Sequence, residues 1–367
     1  MRSKVQVLSV VAMPLPGRSA KPTEMAIASG RLHRDEGSDV GFEERIDPEL
    51  RDGLVLYQAL GFEAKDLSGE TLATMRTTSA ALFAEAMADV PANDRVVRQD
   101  RTAPGPGGEV PVRVYRSVDA TGTLPALLWI HGGGMIFGNI DQDDLACDAY
   151  AEAVGCVVVN VEYRLAPEHP HPAPVEDCYA ALRWMADNAA ELGIDPARIA
   201  VGGASAGGGL AAGTVLMARD RGGPDVAFQL LVYPMLDDRD VTPSAQEFGG
   251  AISWGREHNV SGWKAYLGDR VGTDAVDHYA APARATDLSG LPPALIQVGE
   301  LETFRDEDID YAARLLGAGV PTQLHVYPGA YHAWDMAAPQ ARLSVRMVEE
   351  RVDALRGALQ AQAAAPA

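Results

Sequence analysis

The chain has 367 residues and a formal net charge of −20, with 31 Lys and Arg against 51 Asp and Glu. Hydrophobic residues make up 47% and charged residues 22%, which excludes global disorder, and no stretch approaches the roughly 20 apolar residues that span a bilayer. So acidic a surface argues against nucleic acid or anionic lipid as a partner, because both bind positively charged faces.

The amino-terminal region mixes Pro, Gly, Ser and charges without periodicity, and we interpret residues 1–42 as a flexible leader. Arg2 and Lys4 precede an apolar run that is short and broken by Pro14 and Pro16, which makes a poor secretory signal. Three cysteines are too few for a disulfide framework and indicate buried free thiols in a reducing compartment. The sequence therefore predicts a cytoplasmic protein.

Two amphipathic segments follow the leader. Apolar positions recur at helical spacing over residues 46–60 and 67–87. Because these helices precede every predicted strand, we expect residues 43–90 to form a cap that packs against another unit. A second cap segment is expected at residues 238–285, which contain no strong strand pattern.

Residues 91–237 and 286–360 show the alternation that is typical of a mostly parallel sheet. A half-exposed pair of strands joined by a Gly/Pro-rich turn comes first, and six largely apolar runs follow it. Amphipathic helical segments separate most of these runs, over residues 141–154, 173–191, 207–221 and 306–318. The predicted fold class is therefore α/β, with about eight strands, helices on both faces of the sheet and a helical cap.

The strongest chemical signal is the glycine-rich string Gly203-Ala204-Ser205-Ala206-Gly207, which lies between an apolar strand and a helix. So tight a turn holds its central residue in a strained backbone conformation, and small neighbours let the strand and the helix approach. The serine hydroxyl then stands clear of the sheet at the positive end of a helix, which suits a nucleophile. The context disfavours the alternative, a glycine-rich helix start with a capping serine.

A second signal is the string His131-Gly132-Gly133-Gly134 at the end of an apolar strand. Its glycines let backbone N–H groups turn inward and stabilise the oxyanion of an acyl-transfer intermediate, where the loss of one donor costs about 3–4 kcal/mol. The expected partner donor is the N–H of the residue after the serine, Ala206. A phosphate-binding loop does not fit, because the Gly-x-Gly-x-x-Gly spacing and the lysine are missing.

A reactive serine needs a histidine as base, and the histidine needs a carboxylate. His332 lies in a loop just past the last predicted strand, whereas His325 lies within that strand and is interpreted as a packing residue. Glu302 lies two residues beyond the preceding strand, where a loop side chain can reach inward, and Asp306 begins the next helical segment. The whole loop offers five carboxylates: Glu300, Glu302, Asp306, Glu307 and Asp308.

Over about residues 90–355 the chain resembles the hormone-sensitive-lipase family of α/β-hydrolase carboxylesterases. The resemblance rests on HGGG, on GASAGG, on the long string from Tyr163 to Trp184 and on the segment from Arg305 to Trp334. It implies an α/β-hydrolase fold and hydrolysis of esters with small or medium acyl chains through an acyl-enzyme. It implies no metal and no cofactor.

The resemblance also implies a role for each matched residue. Ser205 is the expected nucleophile and His332 the expected general base, and three residues are expected to supply the oxyanion N–H groups: Gly133, Gly134 and Ala206. Ala204 replaces the polar residue that usually precedes the serine. The family's acid is usually Asp, but the aligned position holds Glu302, which becomes the expected acid, with Asp306 as the alternative.

Candidate substrate-pocket residues flank these loops or lie in the second cap segment: Met135, Phe137, Tyr233, Trp254 and Trp334. The expected partner is a small-molecule ester, and an edge strand near residues 322–328 leaves a homodimer open. The same catalytic groups would serve an acyltransferase or a lactonase, which product analysis distinguishes. A ligand-binding receptor on an inactive hydrolase scaffold would be expected to lack a member of the triad.

Overall fold

The computed structural model describes residues 42–62, 64–88, 90–91, 93–248 and 253–361. The predicted leader lies outside these residues, apart from Phe42. All three cysteines are buried and free, as the sequence indicated. Among the described helices, none is long and apolar enough to cross a membrane.

Eight strands form a single sheet: β1 Val96–Gly105, β2 Gly108–Ser117, β3 Leu124–Ile130, β4 Val157–Val161, β5 Ile194–Ala204, β6 Phe228–Val232, β7 Ala294–Leu301 and β8 Thr322–Tyr331. Their order across the sheet is β1-β2-β4-β3-β5-β6-β7-β8. β2 pairs antiparallel with β1 and with β4, and all the other neighbouring strands are parallel. The predicted α/β class with about eight mostly parallel strands is confirmed.

Among the described residues, three α-helices precede the first strand, and from α4 onward helices follow the strands. The helices are α1 Phe42–Arg45, α2 Leu54–Ala59, α3 Gly69–Met87, α4 Asp144–Val154, α5 Ala173–Asp187, α6 Ala189–Leu192, α7 Ala206–Arg221, α8 Pro243–Glu247, α9 Arg256–Leu267, α10 Arg305–Gly317, α11 Trp334–Ala337 and α12 Arg342–Ala361. Short 3-10 helices lie at Pro48–Gly53, Ile140–Asp143, Gly268–Arg270 and Pro282–Arg284.

The hydrophobic core lies on both faces of the sheet. Along β3, Leu128 and Ile130 join one cluster with α5 and α7, whereas Leu127 and Trp129 join the other cluster with α4 and α12. Successive side chains of a strand point to opposite faces, so a strand that is buried on both faces must be apolar throughout. Each fully buried leucine contributes about 1.5–3 kcal/mol relative to an exposed one.

The first predicted cap helix, residues 46–60, is split in the structure. A 3-10 helix covers Pro48–Gly53 and α2 begins only at Leu54. Tertiary contacts explain the difference, because Tyr331 donates a hydrogen bond to the carbonyl of Leu50, and a side chain at Gly53 would meet the Tyr331 hydroxyl at 2.6 Å. Packing against β8 therefore overrides the helical pattern of this segment.

The parallel strands bring the predicted site loops to one edge of the sheet. The HGGG string follows β3, Ser205 follows β5, Glu302 follows β7 and His332 follows β8. The carboxyl ends of parallel strands lie at the same edge, where open α/β sheets bind their ligands. β8 is one of the two edge strands of the sheet, and the pairing of two chains through it stays a prediction.

Candidate active site

Ser205 lies at the turn between β5 and α7, with a φ of 58° and a ψ of −120°. Left-handed backbone of this kind is uncommon for a residue other than glycine. The approach of strand and helix depends on glycine, because a side chain at Gly207 would lie 2.1 Å from the carbonyl oxygen of Ile130. The Ser205 N–H is fixed by a 2.8 Å hydrogen bond to the carbonyl of Val232.

Ser205, His332 and Glu302 are connected by two hydrogen bonds. His332 Nε2 lies 2.9 Å from Ser205 Oγ, and His332 Nδ1 lies 2.5 Å from Glu302 Oε2. All three side chains are buried, with Glu302 only 1% exposed. A carboxylate on Nδ1 fixes the proton on that nitrogen and leaves Nε2 free to accept the serine proton.

The imidazole of His332 is held by two aromatic rings. The ring centroids of Tyr233 and Phe304 lie 4.8 Å and 5.1 Å from that of His332, both in edge-on geometry. Tyr233 is itself fixed by a 2.8 Å hydrogen bond from its hydroxyl to Asp335 Oδ1. The ring of His332 therefore has little freedom to rotate away from Ser205.

Asp306, the alternative acid, is occupied elsewhere. Its carboxylate accepts hydrogen bonds from the backbone N–H of Ser244 at 2.8 Å and from Arg305 Nε at 2.8 Å. Burial alone would raise the pKa of Asp306, but these hydrogen bonds outweigh it and lower the pKa. The structure thus brings Glu302 to His332 and places Asp306 against α8.

Two further carboxyl groups, Glu307 and Asp308, lie in the first turn of α10 and are deeply buried near Glu302. Burial, and then neighbouring carboxylates, raise the pKa of both groups well above the usual values. Glu307 accepts hydrogen bonds from the N–H groups of Leu236 and Asp237, whereas neither oxygen of Asp308 has a hydrogen-bond partner among the described residues. Both groups therefore hold a proton more readily than ordinary exposed carboxyl groups do.

The glycine string after β3 forms a tight turn beside the serine. Gly133 has a φ of 112° and Gly134 a φ of 60°, which favours glycine at both positions. The carbonyl of Gly133 accepts hydrogen bonds from the N–H groups of Ile136 and Phe137. Among the described residues, the backbone hydrogen bonds outside the helices and strands do not use the N–H groups of Gly133, Gly134 or Ala206, so these groups are candidate donors to a ligand.

His131 supports this turn and is not part of the Ser205 hydrogen-bond series. Its Nδ1 donates to the carbonyl of Gly132 at 2.9 Å, and its ring stacks on Tyr163 with centroids 4.2 Å apart. Burial lowers the pKa of His131 to about 4, so the imidazole is neutral at pH 7.

The five candidate pocket residues are all buried, in different surroundings. Trp254 lies against the glycine turn, because a side chain at Gly134 would lie 2.1 Å from its ring. Phe137 follows the same turn, and Met135 within it has a φ of 63°. Trp334 packs 5.8 Å from Tyr233, centroid to centroid. Whether these side chains line a substrate pocket stays a prediction.

The sequence did not predict several residues that are distant in the chain and contact the backbone or the rings of the site. Tyr57 donates a 2.8 Å hydrogen bond to the carbonyl of Ala333, next to His332. Arg76 of α3 donates to the carbonyl of Ile136 at 2.7 Å, beside the glycine turn. Phe304 also contacts the ring of His332, and no sequence signal indicates this contact.

A metal site does not form among the described residues, since no three His, Cys, Asp or Glu side chains there are grouped to hold an ion. The site therefore brings together a serine hydroxyl, an imidazole, a carboxyl group and backbone N–H groups.

Comparison with known proteins gives consistent matches. A family model described as "alpha/beta hydrolase fold" matches residues 127–336. The chain is 42% identical over 230 residues to Carboxylesterase NlhH of Mycobacterium tuberculosis, a match that covers 62% of this chain and 71% of that protein. It is 31% identical over 306 residues to an arylesterase of Saccharolobus solfataricus, covering 83% and 96% of the two chains.

Solved structures of similar proteins cover more of the chain. A structure titled "Bacterial Heroin Esterase" superposes with a TM-score of 0.80 and 45% sequence identity, covering 86% of this chain and 98% of that one. Esterase LipW from Mycobacterium marinum gives a TM-score of 0.77 and 39% identity over 86% of this chain and 96% of that one. At these sequence identities the similarity covers the amino-acid sequence as well as the fold.

Proposed function

The chain belongs to the hormone-sensitive-lipase-like family of α/β hydrolases and is a carboxylic ester hydrolase, and from this premise we propose that it cleaves short- to medium-chain acyl esters through an acyl-enzyme on Ser205. The observation that carries the proposal is the hydrogen-bonded series from Ser205 through His332 to Glu302. The series has the donor and acceptor order that serine hydrolases use.

In the first half of the reaction, His332 Nε2 takes the proton of Ser205 Oγ as this oxygen attacks the ester carbonyl carbon. The distance of 2.9 Å between the two atoms allows direct transfer. The tetrahedral intermediate then collapses, the bond to the alcohol oxygen breaks, and His332 returns its proton to the leaving alcohol. Ser205 is left as an acyl ester.

In the second half, His332 accepts a proton from a water molecule whose oxygen attacks the acyl carbon. Collapse of the second tetrahedral intermediate returns the proton to Ser205 Oγ and releases the carboxylic acid. Glu302, hydrogen-bonded to His332 Nδ1, stabilises the imidazolium that forms in each half. The net change is the addition of one water molecule across the ester bond.

The negative charge on the carbonyl oxygen needs donors that are already in position. We assign this role to the backbone N–H groups of Gly133, Gly134 and Ala206. The positive φ values of both glycines and the start of α7 at Ala206 support the assignment. The helix start adds a favourable dipole at the same point.

Residues 43–90 and 238–285 are proposed as a cap over this site. The two segments contact one another, since His258 Nε2 lies 2.9 Å from the carbonyl of Ala64 and the N–H of Leu67 donates to Ser261 at 3.3 Å. Phe62 meets Trp254 and Phe137 at ring distances of 6.3 Å. An aromatic wall of this kind beside the glycine turn suits an apolar acyl chain.

Hydrolysis of p-nitrophenyl esters from acetyl to palmitoyl, on the purified protein and on Ser205→Ala, tests the proposal. We expect activity that peaks at short or medium chains and is abolished in the variant. Retained turnover in Ser205→Ala would refute the mechanism, and a folded wild-type protein without esterase activity would refute the substrate class. Product analysis with an added alcohol distinguishes hydrolysis from acyl transfer.

A further inference from the structure

The loop that carries His332 is tied to the amino-terminal segment on both sides of the histidine. Tyr57 Oη donates a 2.8 Å hydrogen bond to the carbonyl of Ala333, the residue after it. Tyr331, the residue before it, donates a 2.9 Å hydrogen bond to the carbonyl of Leu50. Both hydrogen bonds are buried, and they join residues more than 270 positions apart.

The backbone at Ala333 has a conformation that needs such support. Its φ is 56° and its ψ is 34°, which is the left-handed region that a residue with a side chain adopts rarely. The Ala333 carbonyl accepts from Met336 N–H at 3.2 Å as well as from Tyr57, so both of its lone pairs have a donor. Loss of the Tyr57 hydroxyl would remove one of the two hydrogen bonds to the Ala333 carbonyl.

We propose that Tyr57 is a positioning residue for His332, which uses its hydroxyl to hold the Ala333 carbonyl and thereby aims the imidazole at Ser205. The inference rests on the proposed function of His332 as general base. It makes residues 48–57 part of the active-site support as well as part of the cap.

The surroundings of Tyr57 make the anchor rigid. Its ring meets the rings of Tyr331 and Phe62 edge-on, with centroids 6.1 Å and 5.6 Å away. Gly53 lies so close to Tyr331 that a side chain there would come within 2.6 Å of the hydroxyl. Burial raises the pKa of Tyr57 well above its usual value, so the phenol remains a donor across the working pH range.

The test replaces Tyr57 by phenylalanine, which removes the hydroxyl and keeps the ring contacts. Tyr311→Phe is the matched control, because Tyr311 is also buried but its hydroxyl has no hydrogen-bond partner among the described residues. We expect Tyr57→Phe to lower kcat about tenfold with KM changed less than about twofold, because a small misplacement of a base slows the chemical step. Tyr311→Phe should leave both constants unchanged.

A second readout follows His332 itself. The proton on Nδ1, held between His332 and Glu302, should give a far-downfield proton NMR resonance. In Tyr57→Phe this resonance should move or broaden, and in Tyr311→Phe it should stay as in the wild type. An unchanged resonance together with unchanged kcat in Tyr57→Phe would overturn the proposal, even if the variant melts at a lower temperature.

The failure of this inference can be told from failure of the proposed function. If the wild type shows no Ser205-dependent turnover, the esterase proposal fails, and the His332 resonance alone decides on Tyr57. If Tyr57→Phe does not fold, Tyr331→Phe removes the hydrogen bond on the other side of the histidine. The inference then predicts a perturbed resonance in Tyr331→Phe, and a wild-type resonance there contradicts it.

Discussion

Glu302 Oε2 and His332 Nδ1 lie 2.5 Å apart, although residue 302 is a glutamate at a position where the hormone-sensitive-lipase family usually has an aspartate. The pairing of β7 with β8 shifts register between Gly299 and Leu301, immediately before the glutamate. The other carboxylate oxygen, Oε1, accepts the N–H of Gly299 at 2.5 Å. The glutamate side chain thus folds back over the end of its own strand. Its extra methylene is taken up by this bend, so the carboxylate still meets His332 Nδ1.

This geometry predicts the outcome of neutralising each of the two candidate acids. Glu302→Gln should lower kcat by about 10⁴-fold, because an amide at this position can donate to Nδ1 and stabilise the wrong tautomer of His332. Ester hydrolysis by the purified variant, at saturating substrate, measures the loss. Ser205 and the backbone donors remain, so residual turnover should stay above that of water alone.

Asp306→Asn is the control for the acid. Its carboxylate binds Ser244 and Arg305, so we expect a modest loss of stability and an activity within about tenfold of the wild type. A larger loss of kcat in Asp306→Asn than in Glu302→Gln would reverse the assignment.

The parts of the site that lie within one string of sequence could be predicted. A strand, a turn of small residues and a helix determine the surroundings of Ser205 through contacts between near neighbours, and the same holds for the turn at Gly133 and Gly134. The alternation of apolar runs and helices likewise predicted the sheet, since burial on both faces requires apolar strands.

What could not be predicted depends on contacts between distant segments. The split of the 46–60 segment and the hydrogen bond from Tyr57 to Ala333 both arise from packing against β8 and the loop after it, some 275 residues away. No local pattern encodes such a contact, because the acceptor for a buried tyrosine hydroxyl is set by whichever distant segment the fold brings next to it. Phe304 illustrates the same limit, since its ring contact with His332 exists only after β7 and β8 pair.

The glycine turn gives a second prediction. Gly134→Ala should lower kcat about 100-fold or more, because the added methyl group lies 2.1 Å from the ring of Trp254 and the φ of 60° disfavours alanine. Relief of the clash with Trp254 or of the unfavourable φ requires the backbone at residue 134 to move. This displaces an N–H group that we assign to the oxyanion. Steady-state kinetics on a short-chain ester, with the melting temperature recorded in parallel, measure the effect.

Gly122 offers a matched control for that substitution. It has a φ of 74°, and a methyl group there would meet no atom within 4 Å. Gly122→Ala should therefore cost about 1 kcal/mol of stability through the backbone alone and leave kcat unchanged. Equal kinetic effects of the two substitutions would show that the turn at Gly134 has no special part in the reaction.

The buried, neutral His131 predicts how stability depends on pH. Burial lowers its pKa to about 4 in the folded protein, whereas the unfolded chain has the usual value of about 6.5. Between these two values the unfolded state binds more protons, so the free energy of unfolding rises with pH. The contribution is fully present above about pH 6.5 and is lost as the pH falls toward 4.

Replacing the imidazole should remove this dependence. Between pH 8 and pH 5 the free energy of unfolding of His131→Gln should fall by about 2 kcal/mol less than that of the wild type, as measured by urea denaturation at each pH. The raised pKa values of Glu307 and Asp308 act in the opposite direction, but they are common to both proteins and cancel in the difference. His169→Gln, at an exposed histidine, should follow the wild type. If the free energies of unfolding of wild type and His131→Gln changed equally with pH, the prediction would be wrong. That result would mean that His131 takes up its proton as readily in the folded protein as in the unfolded chain. The burial of its ring against Tyr163 predicts the opposite.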